Sequence, residues 1–135
     1  MNDQTQRLIA DYYAAFNAGD MDAFLALLTD DVIHDINQGR RETGKAAFAV
    51  FMARMNAHYR EQLVDMVIMS NAAGDRAAAE FVVEGEYLAT DAGLPVANGQ
   101  RYRLPAGAFF TVRDGRIARV TNYYNLQDWI AQVGG

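Results

Sequence analysis

The sequence predicts an α+β fold: three N-terminal helices packed on one face of a strongly curved, mostly antiparallel sheet, a cone-shaped α+β barrel finished by a short C-terminal helix. Three observations carry this. Apolar residues recur mainly at helical spacing as far as about Tyr59, broken by one short strand-like run, and mainly at strand-like spacing from there to the last helix. Arg113-Asp114-Gly115-Arg116 places two turn-forming residues between the last two strand-like runs, as a tight hairpin requires. Gly85, Pro105 and Gly107 lie inside strand-like runs, where they are expected to mark bulges or bends that let a long sheet curl round helices.

The first helix is read from QTQRLIADYYAAFNAGD, in which Leu8, Ile9, Tyr12, Tyr13 and Phe16 share a face and Asn17 to Gly19 supplies the stop. Asp20 can cap a second, shorter helix that buries Met21, Phe24, Leu25 and Leu28 and ends at Thr29-Asp30. Val32 to Ile36 reads as a short strand, followed by a polar loop over Asn37 to Arg41. From Thr43 to about Tyr59, a stripe of Phe48, Met52, Met55 and Tyr59 with Phe51 beside it predicts the third helix. Four strand-like runs follow, QLVDMVIMS, RAAAEFVVEGEYLAT, QRYRLPAGAFFTV and RIARVTNYYN, and Leu126 to Val133, with Trp129, reads as the closing helix.

At 135 residues the chain is expected to be a single domain over 1–135, able to bury roughly 68% of the surface its unfolded form exposes, so a real core is available. Half the residues are apolar with no run of about 18, which argues against both a disordered chain and a membrane span. MNDQTQRLIA lacks the basic flank and apolar stretch of a secretory signal, so a cytoplasmic location is expected. With no cysteine there is no disulfide framework, thiol nucleophile or thiolate metal site. A net charge of −5 repels a phosphate backbone, and Arg40, Arg41 and Lys45 beside Glu42 read as a solvated loop, so nucleic acid is not expected as a partner.

The common catalytic signatures are missing: no GxSxG elbow, no phosphate loop, no HExxH and no dinucleotide fingerprint. His34 and His58 fall on different elements without metal-ligand spacing. Neither a metal nor a cofactor is expected.

YYAAFNAGD from Tyr12 to Asp20, followed by DAFLALLTDDVIHD, resembles the opening of ketosteroid isomerases and of the wider SnoaL-like, nuclear-transport-factor-2-like superfamily, and the order of elements matches over essentially the whole chain. The resemblance implies a hydrophobic pocket for a small molecule. In ketosteroid isomerases a carboxylate moves a proton while a tyrosine and a protonated aspartic acid stabilise the oxyanion. Counting from NAGD, the oxyanion tyrosine falls on Tyr12; counting from Asp30-Asp31, the base falls on Ile36, with Asp35 one residue early; the second oxyanion donor falls on Ala108. A slip of one residue turns a strand side chain to the other face, so the standard isomerase apparatus is matched at Tyr12 alone.

The same registers imply which side chains point into the cone. His34 shares a face with Val32 and Ile36; Phe81, Val83, Gly85 and Tyr87 share one on the second long strand; Tyr102, Leu104, Ala106, Ala108 and Phe110 on the third; Val120, Asn122 and Tyr124 on the last. Phe16, Met52 and Met55 complete the expected ligand contacts from the helices. The opposite sheet face, with Val82, Glu80, Glu84, Glu86, Arg101, Arg103, Arg119 and Tyr123, suits cross-strand ion pairs, and the resemblance implies a homodimer through it.

Each candidate has a functional and a structural reading. Tyr12 is either a donor to a ligand oxygen or a core-edge tyrosine; His34 is either a proton carrier or a strand histidine bonded to a carbonyl; Asp35 is a rim carboxylate unless a bulge at Asn37-Gln38-Gly39 swings it inward. Met52, Met55, Met66 and Met69 are either core filler or a ligand-contacting set. Two functions follow: a cofactor-free isomerase, cyclase or hydratase acting on a hydrophobic, oxygen-bearing molecule, or a non-catalytic binding or interaction module. A cone lined by His34 and hydrogen-bond donors favours the first, and one plugged by Tyr87, Tyr102 and Phe110 the second.

Overall fold

A computed structural model describes residues 2–134. Helix α1 spans Asp3–Ala18; the Asn2 side chain accepts from the Thr5 amide at 3.0 Å, and Gly19, at φ 71°, ends the helix in the left-handed conformation that glycine adopts without strain. Asp20 caps α2 (Met21–Ala26) through the Ala23 amide at 3.1 Å. There follow β1 (Leu28–Asp35), β2 (Arg41–Thr43), α3 (Lys45–His58), β3 (Tyr59–Ser70), β4 (Arg76–Tyr87), β5 (Arg101–Arg113), β6 (Arg116–Tyr124) and α4 (Leu126–Gly134).

The sheet runs β2-β1-β6-β5-β4-β3, with β1 parallel to β6 and the other pairs antiparallel. Three points differ from the sequence reading. The second helix stops at Ala26, and Leu28 and Thr29 already belong to β1. Part of the expected polar loop is the edge strand β2, which pairs with β1 through Glu42 opposite His34. The third concerns the bends. Gly85, Pro105 and Gly107 lie in an unbroken β4–β5 register, while the shifts fall at Val64/Val67, Thr111/Val112 and Leu28/Ile33. Gly85 instead leaves room for a side chain: a Cβ there would overlap the ring of Tyr102.

The Asp114-Gly115 turn has both residues at positive φ, 52° and 75°, the mirror-image geometry whose twist matches antiparallel strands. Apolar side chains of α1, α2 and α3 meet the inner face of the sheet, and Ile9, Phe24, Leu28, Phe48, Phe110, Ile117 and Val120 are fully buried or within 1% of it. Helix α4 closes the structure by inserting Trp129 among Tyr59, Tyr87 and Tyr102, with ring centroids 4.9–5.9 Å away. No helix among the described residues is long and apolar enough to cross a membrane.

Candidate functional site

Between the helices and the inner face of the sheet lies a cavity of about 430 Å³. Its apolar wall is Tyr12, Tyr13, Phe16 and Phe24 from α1 and α2, Phe48, Phe51, Met52 and Met55 from α3, and Phe81 and Val83 from β4. Polar residues on the lining are Asn17, His34, Asn37, Asn56, Arg60, Glu61, Gln62, Asn122 and Tyr124. Mostly apolar surface with a few polar groups is the usual make-up of a small-molecule site.

Strand alternation on β1 sends Val32 and His34 inward. His34 is 2% exposed, with its ring stacked on Phe48 at 4.2 Å and edge-on to Phe51 at 4.7 Å. Burial lowers its pKa to about 4, only partly opposed by the negative charges of Glu42 and Asp35, so the imidazole is neutral at neutral pH. One ring nitrogen, Nε2, lies 3.3 Å from Asn122 Nδ2; the other, Nδ1, is buried without a partner. Two arrangements satisfy this contact. With Asn122 Nδ2 donating to Nε2, the ring proton sits on Nδ1; with the amide turned over, Nε2–H donates to the amide oxygen and Nδ1 keeps a bare lone pair.

Tyr12 stacks on Phe24 at 4.4 Å and lines the cavity. The Tyr13 hydroxyl, on the next position of α1, is buried without a partner among the described residues. Burial raises both phenol pKa values, so each stays a neutral O–H donor.

Asp35 points away from the cavity. Arg41 grips both its oxygens at 2.6 and 3.1 Å, and Thr121 donates to it at 2.6 Å. Arg41, burial and Thr121 together leave its pKa at about 2, with Arg41 the largest influence, so Asp35 is a fixed carboxylate and a poor base. The turn after β1, with Gln38 at φ 54°, does not bring it inward.

Four expected ligand contacts line no part of the cavity. Phe110 is wedged edge-on against Tyr12 and Tyr13 at 5.6 and 6.0 Å, and Ala108 is 1% exposed beside it in the core. Tyr87 and Tyr102 pack on Trp129. The Tyr87 hydroxyl donates to the Pro95 carbonyl at 2.7 Å and accepts from the Asp91 amide at 2.9 Å, while Asp91 in turn takes hydrogen bonds from Arg54 and Tyr59. Those aromatics hold the loop between β4 and β5 against α3 and α4, and the cavity stays open. Phe16, Met52, Met55, Phe81, Val83, Asn122 and Tyr124 do line it, with Tyr12 and His34.

Glu61 went unrecognised in the sequence. It alternates inward with Tyr59 and Leu63 on β3, a signal hidden by treating QLVDMVIMS as the start of the strand. No three His, Asp or Glu side chains among the described residues converge to hold a metal ion.

Comparison with known proteins agrees with this architecture. A crystal structure of a proposed polyketide cyclase from Pseudomonas putida is 68% identical, covers 96% of this chain and 97% of its own, and superposes with a TM-score of 0.95. A second, from Xanthomonas campestris, is 63% identical, with 96% of each chain covered and a TM-score of 0.93. A Mycobacterium tuberculosis epoxide hydrolase shares the fold at 19% identity, with 96% and 89% covered and a TM-score of 0.76. No curated protein matches the chain. The model of the SnoaL-like domain matches residues 9–120, and on that match the chain belongs to the SnoaL-like family of the nuclear-transport-factor-2-like superfamily.

Proposed function

We propose that the protein is an isomerase- or cyclase-type enzyme that moves a proton on an apolar, carbonyl-bearing small molecule bound in the cavity, with no cofactor. The observation that carries this reading is that the neutral imidazole of His34 and the un-ionised phenol of Tyr12 line one apolar cavity. A 68%-identical structure bearing the name of a polyketide cyclase supports it.

His34 takes a proton from the carbon beside the carbonyl, and the C–H electron pair becomes the enolate double bond. Tyr12 donates a hydrogen bond to the oxygen where negative charge collects. The imidazolium then returns the proton to another carbon, which is isomerisation, or to the oxygen of a second carbonyl that the enolate carbon attacks, which is ring closure. Burial that keeps His34 neutral when the cavity is empty also makes its cation more acidic than a free imidazolium, which favours the returning step and makes abstraction the harder one.

Exchange of the α-protons of an aryl methyl ketone in deuterium oxide, followed by NMR, tests this directly. The wild-type protein is expected to accelerate exchange, and His34→Phe to lower the acceleration about 100-fold or more while still binding the ketone. A ketone that binds without exchanging in the wild type, or exchanges equally in His34→Phe, leaves the protein a binding module.

The homodimer is also part of this proposal. Phe109 and Tyr123 are 51% and 57% exposed, with their rings 5.9 Å apart, and Val67 and Met69 stand in the same two rows of the outer sheet face. Arg103 pairs there with Glu84 at 3.2 Å, so the charge flanking the apolar rows is already locally matched. Light scattering is expected to give twice the mass of one chain, and Phe109→Glu to halve it. A wild-type monomer at micromolar concentration would remove this part of the proposal.

A further inference from the structure

Glu61, Gly85 and Tyr102 are paired neighbours in one row across β3, β4 and β5. The middle position carries no side chain, and the Tyr102 ring occupies the space that a Cβ on Gly85 would need. Through that gap Tyr102 reaches past an entire strand and donates its hydroxyl proton to Glu61 Oε2 at 2.6 Å. Trp129 packs edge-on against the same ring and holds it there.

The carboxyl so held lines the cavity, whereas Tyr102 does not. Among the described residues no cation is within ion-pair distance of it: the adjacent Arg60, which also lines the cavity, is paired with Glu86 at 3.0 Å. Burial pushes the Glu61 pKa up, with Tyr102 opposing. Glu61 therefore presents a carboxyl to the cavity with one oxygen committed to Tyr102 and the other, Oε1, without a bonded partner among the described residues.

Its place in the sheet separates it from the proposed chemistry. His34 belongs to the row His34–Val120–Phe110–Ala77, eight residues before Gly85 on β4 and eight beyond Tyr102 on antiparallel β5. That is about 26 Å of strand, shortened in space by the curl of the sheet. The two polar groups thus line one cavity from rows well separated along its strands.

We infer that Glu61, positioned by Tyr102 across Gly85, is a second recognition site that selects elongated ligands carrying a hydroxyl at the end remote from their carbonyl. A hydroxyl suits the site because it can donate to a carboxylate or accept from a carboxylic acid, so recognition holds in either ionisation state. The inference rests on the small-molecule reading above and adds to it a preference for length and for a second oxygen.

Calorimetric titration with two probes tests it: an acetylbiphenyl, and the same ketone with a hydroxyl on its distal ring. The wild type is expected to bind the hydroxylated ketone about tenfold more tightly, as a buried hydrogen bond allows. Glu61→Gln keeps an acceptor of the same reach and retains part of that preference; Glu61→Leu binds the two ketones alike. Equal affinities in the wild type, or an undiminished preference in Glu61→Leu, overturn the assignment. If the plain ketone binds and exchanges its α-protons but the hydroxyl adds nothing, the Glu61 site alone falls; if neither ketone binds the wild type, the small-molecule reading falls with it.

Discussion

Phe110→Ala is expected to destabilise the protein by about 3–5 kcal/mol, a large part of the 5–15 kcal/mol that holds a typical domain folded. The ring is 0% exposed and makes edge contacts with Tyr12 and Tyr13, two α1 residues on the cavity wall. Truncation removes those contacts and leaves a void behind both tyrosines, which the surrounding strands can only partly close. Urea unfolding monitored by Trp129 fluorescence measures the loss. A ligand-contacting phenylalanine on an open cavity wall would give a much smaller change, so a loss below about 1 kcal/mol would return Phe110 to the ligand site.

That contrast marks how far the sequence could be read. Alternation along β1 separates His34, which lines the cavity, from Asp35, which turns to Arg41 and Thr121, because side-chain direction on a strand is a local property. It does not distinguish two ways of facing inward. On a strongly curled sheet one face serves both as core and as cavity wall, and which it is at a given position depends on what arrives from elsewhere in the chain. Phe110 meets α1, whereas Tyr87 and Tyr102 meet Trp129 of α4, so all three are used up in packing.

Long-range pairing hid the rest. Strand β2 is three residues long and exists only because β1 lies beside it, and no turn signal announces the parallel β1–β6 pair. Gly85 was legible as an exception within a strand but not as the gap for a side chain from β5, since nothing local to Gly85 reveals the ring that passes over it. Glu61 is the counterpart case: its hydrogen bond comes from Tyr102, two strands away in the sheet.

Acidification is expected to remove stability through His34. The ring's pKa falls from 6.5 in the unfolded chain to about 4 in the folded one, so between these values the unfolded chain binds more protons, and stability falls as pH is lowered through the window. The full contribution is roughly 3 kcal/mol, present above about pH 6.5 and lost as pH falls through about 4. Other groups overlap with it. Asp31, Asp35 and Asp91 have lowered pKa values and add losses at and below about their unfolded value of 3.8, whereas Glu61, pushed up by burial, gives a term of opposite sign that grows less favourable as pH rises. Comparing the wild type with His34→Phe cancels those shared terms while keeping an aromatic ring against Phe48. Between about pH 7 and pH 4.5 the wild type is expected to lose about 2–3 kcal/mol more than the variant in urea unfolding. Parallel losses in the two proteins would mean that His34 takes up its proton without cost in the folded state, and the neutral imidazole required for proton abstraction would no longer be secured by burial.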